Sequence, residues 1–306
     1  MTARVVGAGR FAPSPTGDLH LGNLRTALVA WLFARWGGRS FVVRMEDLDR
    51  VTSSREWERR QLADLAAIGI DWDGEVIRQS DRFDLHRGVI DRLTDAGLTY
   101  PCFCTRREIA EAASAPHGEV GRYPGTCRNL SDRERAERSA SGRPPALRLK
   151  AEGETVVFED LVVGRVEGRV DDVVLRRNDG VPAYNLGVVV DDAAQGIDQV
   201  VRGDDLIPST PSQIHLCRVL GHDEPAYAHV PLVVGPDGER LAKRHGAVTL
   251  SDLGVDGDAL RGELAVSLGL AVPGERPSPT ELVERFDSAS IHRRPWRYTP
   301  PESPPP

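Results

Sequence analysis

The feature that most constrains the fold lies near the start of the chain, where a short apolar run leads into a turn-rich loop and then into a helical pattern. Residues 5–11 form the apolar run, Pro13, Pro15 and Gly17 supply the turns, and an apolar helical stretch follows from His20. This order predicts a strand, a tight loop and a helix N-terminus. The unpaired N–H groups and the positive dipole end of such a helix favour an anion on the loop.

Two further signals indicate that this anion is a nucleotide phosphate. His20 and Gly22 would lie on the first helical turn, where the missing side chain of Gly22 lets a triphosphate approach the backbone closely. Much later, Arg240-Leu-Ala-Lys243-Arg-His-Gly-Ala forms a short cationic loop that could carry Lys243 to the same phosphates. A His-x-Gly-x motif alone is often a product of chance. The Pro-Ser-Pro-Thr-Gly lead-in and the distant lysine loop make chance a poor explanation here.

Strand and helix patterns alternate through most of the chain. Residues 41–45 are typical of a buried strand, 57–68 of a helix with one apolar face, and 82–96 of an amphipathic helix. Together with a second such series after residue 180, this alternation predicts an α/β protein with a Rossmann-type, doubly wound parallel sheet and an inserted α+β module. The boundaries we predict are 1–97 for the first half of the catalytic domain, 98–180 for the insertion with a zinc site, 181–253 for the second half with the lysine loop, and 254–306 for a short helical region whose Pro-rich tail is disordered.

Composition narrows the class of protein further. The chain has 306 residues, of which 40% are hydrophobic and 28% charged, and these values are ordinary for a globular protein. It carries neither a secretory leader pattern nor a long apolar window, so we expect a cytoplasmic protein with no membrane contact. Nothing in the sequence demands a partner chain, so we expect a monomer. The net charge of −7 does not suggest a nonspecific nucleic-acid binder, although arginines concentrated on one face would still bind RNA.

The cysteines suggest a metal. Cys102 and Cys104 are two apart, and Cys127 follows on a second turn, so three thiolates could bind one Zn²⁺. A tetrahedral site needs a fourth ligand, for which Tyr123, His117 and water are the candidates. Residues 105–130 contain little apolar mass, and a bound Zn²⁺ could contribute roughly 10 kcal/mol to folding them. The alternative is three free thiols on a loop-rich module.

Charged groups recur where predicted strands end, which is where open α/β sheets bind ligands. Glu46 follows the strand at 41–45, and Tyr184 and Arg202 are expected at two later strand ends. A guanidinium binds both oxygens of a carboxylate at once. Arg10 and Arg202 in one crevice would therefore imply a substrate with more than one acid group. Each of these residues could instead be part of a structural ion pair.

Over about residues 8–253 the chain resembles the catalytic domain of the glutamyl-tRNA synthetases, which are class I aminoacyl-tRNA synthetases. The motifs that carry the resemblance are FAPSPTGDLHLGN, RMEDLDR, AYNLGVVVDD, VVRGDDL and LAKRHGA. Full-length members of this family add an anticodon-binding region after the lysine loop. Their short paralogues, the glutamyl-queuosine tRNA(Asp) synthetases, lack that region and carry a Cys-x-Cys…Tyr-x₃-Cys zinc module. The present chain is similar to the short group.

The resemblance implies an activity and a set of site residues. ATP and Mg²⁺ would activate L-glutamate to glutamyl-adenylate without tRNA, and the glutamyl group would then pass to the queuosine base in the anticodon of tRNA(Asp). Matched by motif, the positions that would hold glutamate are Arg10, Ser14, Glu46, Tyr184 and Arg202. Those that would contact ATP are Pro13, His20, Gly22, Asn23 and Lys243, and the catalytic positions are His20, Gly22 and Lys243. The structural zinc would be held by Cys102, Cys104, Tyr123 and Cys127.

Three positions depart from the best-known signatures of the class. Asn23 replaces a histidine in the first signature, whereas Arg240 and Ala242 replace lysine and serine in the second, KMSKS-like signature. Ala242 removes a hydroxyl that could hydrogen-bond the loop, so we expect a more mobile loop that is still active through Lys243. Two alternative hypotheses for the function are a tRNA-charging glutamyl-tRNA synthetase and a catalytically silent, synthetase-like binding protein.

Overall fold

Short strands and helices alternate along the computed structural model, which describes residues 7–105, 107–109, 123–246 and 248–299. The strands are β1 (Ala8–Phe11), β2 (Ser40–Met45), β3 (Ile77–Arg78), β4 (Thr99–Cys102), β5 (Ala146–Leu149), β6 (Thr155–Asp160), β7 (Gly164–Arg169), β8 (Val174–Arg176), β9 (Ile197–Gly203), β10 (Ala226–Val230), β11 (Val233–Val234) and β12 (Trp296–Arg297). The helices are α1 (Leu21–Trp36), α2 (Arg55–Ala67), α3 (Phe83–Asp95), α4 (Asp132–Ala140), α5 (Tyr184–Ala194), α6 (Thr210–Leu220), α7 (Leu250–Leu253), α8 (Gly257–Ser267) and α9 (Pro279–Arg285).

Five of these strands form the main sheet, in the order β10-β9-β1-β2-β3, and all of their pairings are parallel. The chain builds outward from β1 to β3 on one side and later from β9 to β10 on the other. The fold class predicted from the sequence is therefore confirmed. The strand order reverses between β1 and β9, and an open sheet of this kind binds its ligands at that point, beyond the carboxyl ends of the strands.

Helix α1 is the centre of the main core. It packs between β1, β9 and the C-terminal helices, and its side chains are buried on nearly all sides. The ring of Phe33 on α1 contacts that of Phe286, just after α9, edge to face with centroids 5.2 Å apart. Because a helix so enclosed has little freedom to shift, its N-terminus is a rigid edge of the crevice above β1.

A separate antiparallel sheet and a β-hairpin lie between the two halves of the parallel sheet in the sequence. Strands β4, β5 and β8 form the sheet, and β6 pairs with β7 in the hairpin. These antiparallel strands lie in the segment where the sequence predicts an inserted α+β module. The exact division of the chain at 97, 180 and 253 stays a prediction.

The structure corrects two expectations. Tyr184 does not follow a strand but is the first residue of α5, whose apolar run Val188–Val190 is buried along with its neighbours. The run looks strand-like because this helix is enclosed on most sides. The expectation of a disordered tail from Tyr298 onward is wrong for Tyr298, whose N–H donates to the Val234 carbonyl (2.9 Å) and whose ring is buried. Residues 300–306 lie outside the described part.

In the part of the chain that the structure describes, we find no helix of the length and apolar character needed to cross a membrane.

Candidate active site

A cavity of about 570 Å³ opens at the carboxyl ends of β1, β2 and β9. Its volume is ordinary for a site that takes a small molecule or cofactor. The cavity is lined by nine of the predicted glutamate and ATP positions, namely Arg10, Pro13, Ser14, His20, Gly22, Asn23, Glu46, Tyr184 and Arg202. The tenth, Lys243, has its backbone in a short helical turn, and its side chain lies outside the described residues. The structure thus brings together side chains that are far apart in the sequence.

His20 caps the N-terminus of α1. Its Nδ1 accepts hydrogen bonds from the backbone N–H groups of Gly22 (3.0 Å) and Asn23 (3.3 Å), and the Asn23 side chain accepts from the His20 N–H (3.2 Å). Burial, aided by the nearby charge of Arg240, lowers the pKa of His20 to about 4. The ring is therefore neutral at pH 7. Because Nδ1 is an acceptor, the ring proton is on Nε2, which leaves a hydrogen-bond donor at a helix N-terminus.

Gly22 is required by the shape of this corner. A Cβ atom at position 22 would lie 2.9 Å from Cε1 of His20 and 3.6 Å from Cβ of Val233. The first of these distances is shorter than van der Waals contact allows. Any larger residue would displace the imidazole ring from its cap.

The loop after β1 is anchored through its own backbone. The Pro13 carbonyl accepts from the Glu46 N–H (2.9 Å), and the amide group of Gln61 on α2 donates to the carbonyls of Ser14 (3.0 Å) and Gly17 (2.7 Å). Gln61 is buried. Sequence reasoning missed this residue because it lies on the apolar face of a helix, where glutamine has no functional signature of its own.

One side of the cavity holds a chain of buried charges. Arg44 Nη1 donates to Asp192 Oδ1 (2.6 Å), and its Nη2 donates to Glu46 Oε1 (3.3 Å). Arg10 Nε also donates to Asp192 Oδ1 (3.4 Å). Burial raises the pKa of Glu46, although Arg44 and Arg10 oppose the rise. A cationic group bound beside Glu46 would offset that burial and favour the carboxylate, so this part of the cavity suits an ammonium group.

Arg202 faces the same cavity with different partners. Its side chain is 5% exposed and donates to three neutral acceptors, His229 Nε2 (3.1 Å), Gln213 Oε1 (2.8 Å) and Thr210 Oγ1 (2.9 Å). Among the residues that the structure describes, no carboxylate lies within 4.0 Å of this guanidinium. A buried cation without a counter-charge is costly, so this guanidinium is suited to an anionic ligand.

The lysine loop compensates for Ala242 with another side chain. The Ala242 N–H donates to His245 Nδ1 (2.9 Å), and His245 Nε2 lies 3.0 Å from a carboxylate oxygen of Asp237. Arg240 forms an ion pair with Asp205 (2.6 Å), and both residues line the cavity. The hydroxyl absent at position 242 is thus not needed to close this turn. The greater loop mobility expected from Ala242 stays a prediction.

The three predicted cysteine ligands lie together, with their sulfur atoms within 4.8 Å of one another. Cys104 Sγ is 3.5 Å from Cys127 Sγ, and Tyr123 Oη is 3.3 Å from Cys102 Sγ and 3.8 Å from Cys104 Sγ. Ligand atoms around a tetrahedral Zn²⁺ lie about 3.5–3.8 Å apart, so the group fits that ion. His117, the other side-chain candidate for the fourth ligand, lies outside the described residues.

Comparison with known proteins gives a consistent family. The model of the "tRNA synthetases class I (E and Q), catalytic domain" matches residues 8–274. The Glutamyl-Q tRNA(Asp) synthetase of Nocardia farcinica is 62% identical over 96% of this chain and 93% of its own length. The chain belongs to the glutamyl-Q tRNA(Asp) synthetase family. The enzyme of that name from Symbiobacterium thermophilum is 47% identical over 94% of this chain and 95% of its own.

Longer relatives share the same region. The Glutamate--tRNA ligase of Aquifex aeolicus is 44% identical, but the match covers 94% of this chain and only 63% of the ligase. A crystal structure of a glutamate tRNA ligase from Elizabethkingia meningosepticum in complex with its amino acid superposes with a TM-score of 0.82 at 27% identity, covering 96% of this chain and 67% of that one. The chain therefore spans about two thirds of the length of these longer ligases.

Proposed function

We propose that this chain activates L-glutamate with ATP and Mg²⁺ to glutamyl-adenylate without tRNA, and then transfers the glutamyl group to the queuosine base of tRNA(Asp). The observation that carries the proposal is the buried Arg202, whose cation has no counter-charge among the described residues, in a cavity that also contains Arg10 and Glu46. The names of relatives that match over almost their whole length support the tRNA part.

The charges in the cavity match glutamate group by group. Arg202 would bind one carboxylate of glutamate and Arg10 would bind the other. Arg10 is available for a ligand because Arg10 and Arg44 share the single Asp192 carboxylate, which cannot neutralise both guanidinium groups. Glu46 would accept the ammonium group. Ser14 and Tyr184, which line the same cavity, would add hydrogen bonds. A neutral amino acid would leave Arg202 unpaired, so the site discriminates by charge.

The other end of the cavity suits ATP. The N-terminus of α1 and the Nε2–H of His20 are donors for phosphate oxygens, and Gly22 allows the nucleotide to approach. A carboxylate oxygen of glutamate would attack the α-phosphorus, forming the C–O–P bond as the bond to pyrophosphate breaks. The protein contributes position and charge stabilisation, with no covalent nucleophile of its own. Pro13, Asn23 and Lys243 complete the proposed ATP positions, and Mg²⁺ would accompany the nucleotide.

We further infer one structural Zn²⁺ per chain, held by Cys102, Cys104, Tyr123 and Cys127. Burial alone would raise the pKa of the Cys102 thiol, but hydrogen bonds from Tyr123 and Arg148 reverse the effect and lower it. An ion at this point would tie two turns together and stabilise the insertion. We also infer that the protein acts as a monomer in the cytoplasm.

The test is transfer of radiolabelled glutamate to tRNA(Asp). Native tRNA(Asp) that contains queuosine should accept the label, whereas the same tRNA isolated from cells unable to make queuosine should not. Labelling of both tRNAs, or of tRNA(Glu) in preference to them, would refute the proposed acceptor and favour the tRNA-charging activity.

A further inference from the structure

Arg202 is held by a buried pair of side chains that no signature motif contains. Arg202 on β9 and His229 on β10 are direct neighbours in the parallel register, and the Arg202 Nε–H donates to His229 Nε2 (3.1 Å). The other ring nitrogen, Nδ1, lies 2.6 Å from Oδ2 of Asp160, the last residue of β6. The side chains of His229 and Asp160 are completely buried. The three residues form a line from the hairpin to the cavity.

The hydrogen bonds around Asp160 determine the charge of its carboxyl group and the position of the proton on the His229 ring. Its Oδ1 accepts backbone N–H groups from Val162 and Val163 (both 2.9 Å), and both of its oxygens lie 3.1 Å from the N–H of His229. So many donors stabilise the carboxylate and lower its pKa despite burial. Burial also lowers the pKa of His229, although Asp160 opposes the effect. A neutral ring beside a carboxylate holds its proton on Nδ1, which leaves the Nε2 lone pair for Arg202.

We propose that His229 and Asp160 are positioning residues that set the orientation of Arg202 for its amino-acid substrate. The proposal rests on the glutamate site proposed above. Thr210 and Gln213 each bind one Nη of Arg202, and His229 binds Nε. Three contacts determine the plane of the guanidinium. Within the described part of the chain, two of its five N–H bonds then remain for a ligand carboxylate.

The arrangement also makes the hairpin part of the substrate site. Asp160 ends β6, and the turn that follows it donates the N–H groups that hold its carboxylate. His229 stacks on Tyr227 with ring centroids 5.9 Å apart and planes 8° from parallel, and Arg202 lies 5.3 Å from the centre of the Tyr227 ring. The imidazole of His229 therefore has little freedom to rotate. Its tautomer then decides whether Nε2 can accept the hydrogen bond from Arg202.

Asp160→Asn is expected to reverse that tautomer while it keeps the size and shape of the side chain. The amide oxygen would stay with the backbone donors at the Oδ1 position, so the amide nitrogen would face His229 Nδ1 and donate to it. The ring proton would move to Nε2, which lies 3.1 Å from both Arg202 Nε and Thr210 Oγ1, so the Arg202 Nε–H would lose its acceptor. We expect the KM for glutamate in ATP–pyrophosphate exchange to rise about tenfold or more, since hydrogen bonds to charged groups have this weight. The KM for ATP should change less than about twofold.

A matched pair at position 229 separates positioning from packing. His229→Gln places an amide oxygen near the position of Nε2 and keeps an acceptor for Arg202, whereas His229→Asn mimics only the Nδ1 side. We expect His229→Asn to raise the KM for glutamate about tenfold and His229→Gln to stay within about threefold of wild type. Equal effects of the two variants, or parallel rises in both KM values, would overturn the proposal.

The tautomer is measured directly by ¹⁵N NMR of protein labelled at histidine, with His229→Gln used to assign the signal. Wild type should show the proton on Nδ1 and Asp160→Asn should show it on Nε2. An unchanged tautomer would overturn the proposal even if activity fell. If wild type lacked glutamate-dependent exchange, the proposed function would fail, while the NMR result would still decide whether Asp160 controls the ring that faces Arg202.

Discussion

The uncompensated charge of Arg202 leads to a sharp prediction for Arg202→Met. The methionine keeps most of the length but removes the cation, so the substrate carboxylate would enter a buried site without a partner. Removing one member of a buried ion pair costs about 3–5 kcal/mol. The Kd for glutamate should therefore rise between about a hundredfold and several thousandfold.

The same change should affect the unfolding free energy much less than it affects binding. In the ligand-free protein Arg202 has only neutral partners among the described residues, so its loss removes three hydrogen bonds but also removes a desolvated charge. We expect a net effect of about 2 kcal/mol or less. Arg44→Met is the matched control, because Arg44 is equally buried but paired with Asp192 and Glu46. Its loss removes the ion-pair partner of Glu46 and leaves Asp192 only the longer contact with Arg10 (3.4 Å), so it should destabilise the fold by about 3–5 kcal/mol.

Titration calorimetry of both variants measures the Kd for glutamate, and chemical denaturation measures the unfolding free energy. We expect Arg202→Met to lose glutamate binding with a nearly normal denaturation midpoint, and Arg44→Met to lose stability. Glutamate affinity within tenfold of wild type in Arg202→Met would refute the assignment of this arginine to the substrate. Equal destabilisation in the two variants would refute the argument from missing counter-charge.

Three further predictions concern the helix cap and the metal site. Gly22→Ala should lower kcat about tenfold or more, because the new Cβ displaces the His20 ring. The melting temperature should not fall, because alanine favours the helix. An unchanged kcat would contradict the proposed role of the His20 ring at the N-terminus of α1. Between pH 6.5 and about 4, His20 takes up a proton in the unfolded chain but not in the folded one. As the pH falls through this range, the wild type should therefore lose more unfolding free energy than His20→Asn, which keeps an N-cap. Parallel curves of stability against pH would count against the lowered pKa. Cys127→Ser should lose zinc, measured by atomic absorption, and melt at a lower temperature, whereas Cys217→Ser, at a buried thiol outside the cluster, should keep the metal; equal zinc contents would refute the site.

Local patterns revealed the parts of the site that depend on one segment. The strand, loop and helix around His20 follow from turn residues and apolar periodicity, and the cysteine spacing predicts a cluster that the structure forms. Tyr184 was placed on the wrong element because α5 is enclosed on most sides. An apolar run without a polar face carries no period that separates helix from strand.

Partners that meet only in the folded sheet were not predictable in this way. Asp192 joins Arg10 and Arg44 from a helix far along the chain, and nothing in the sequence relates the three. His229 was missed with its strand β10, which is short and outside every motif. These contacts depend on strand order, and strand order follows from the whole fold rather than from any one segment.

The most direct test of the account is ATP–pyrophosphate exchange with glutamate in the absence of tRNA. We predict exchange that depends on glutamate, is not supported by glutamine, and is unchanged when tRNA is added. Exchange that appears only when tRNA is present would contradict tRNA-independent activation and favour a tRNA-charging ligase. Absence of exchange under both conditions would contradict the proposed chemistry of this cavity altogether.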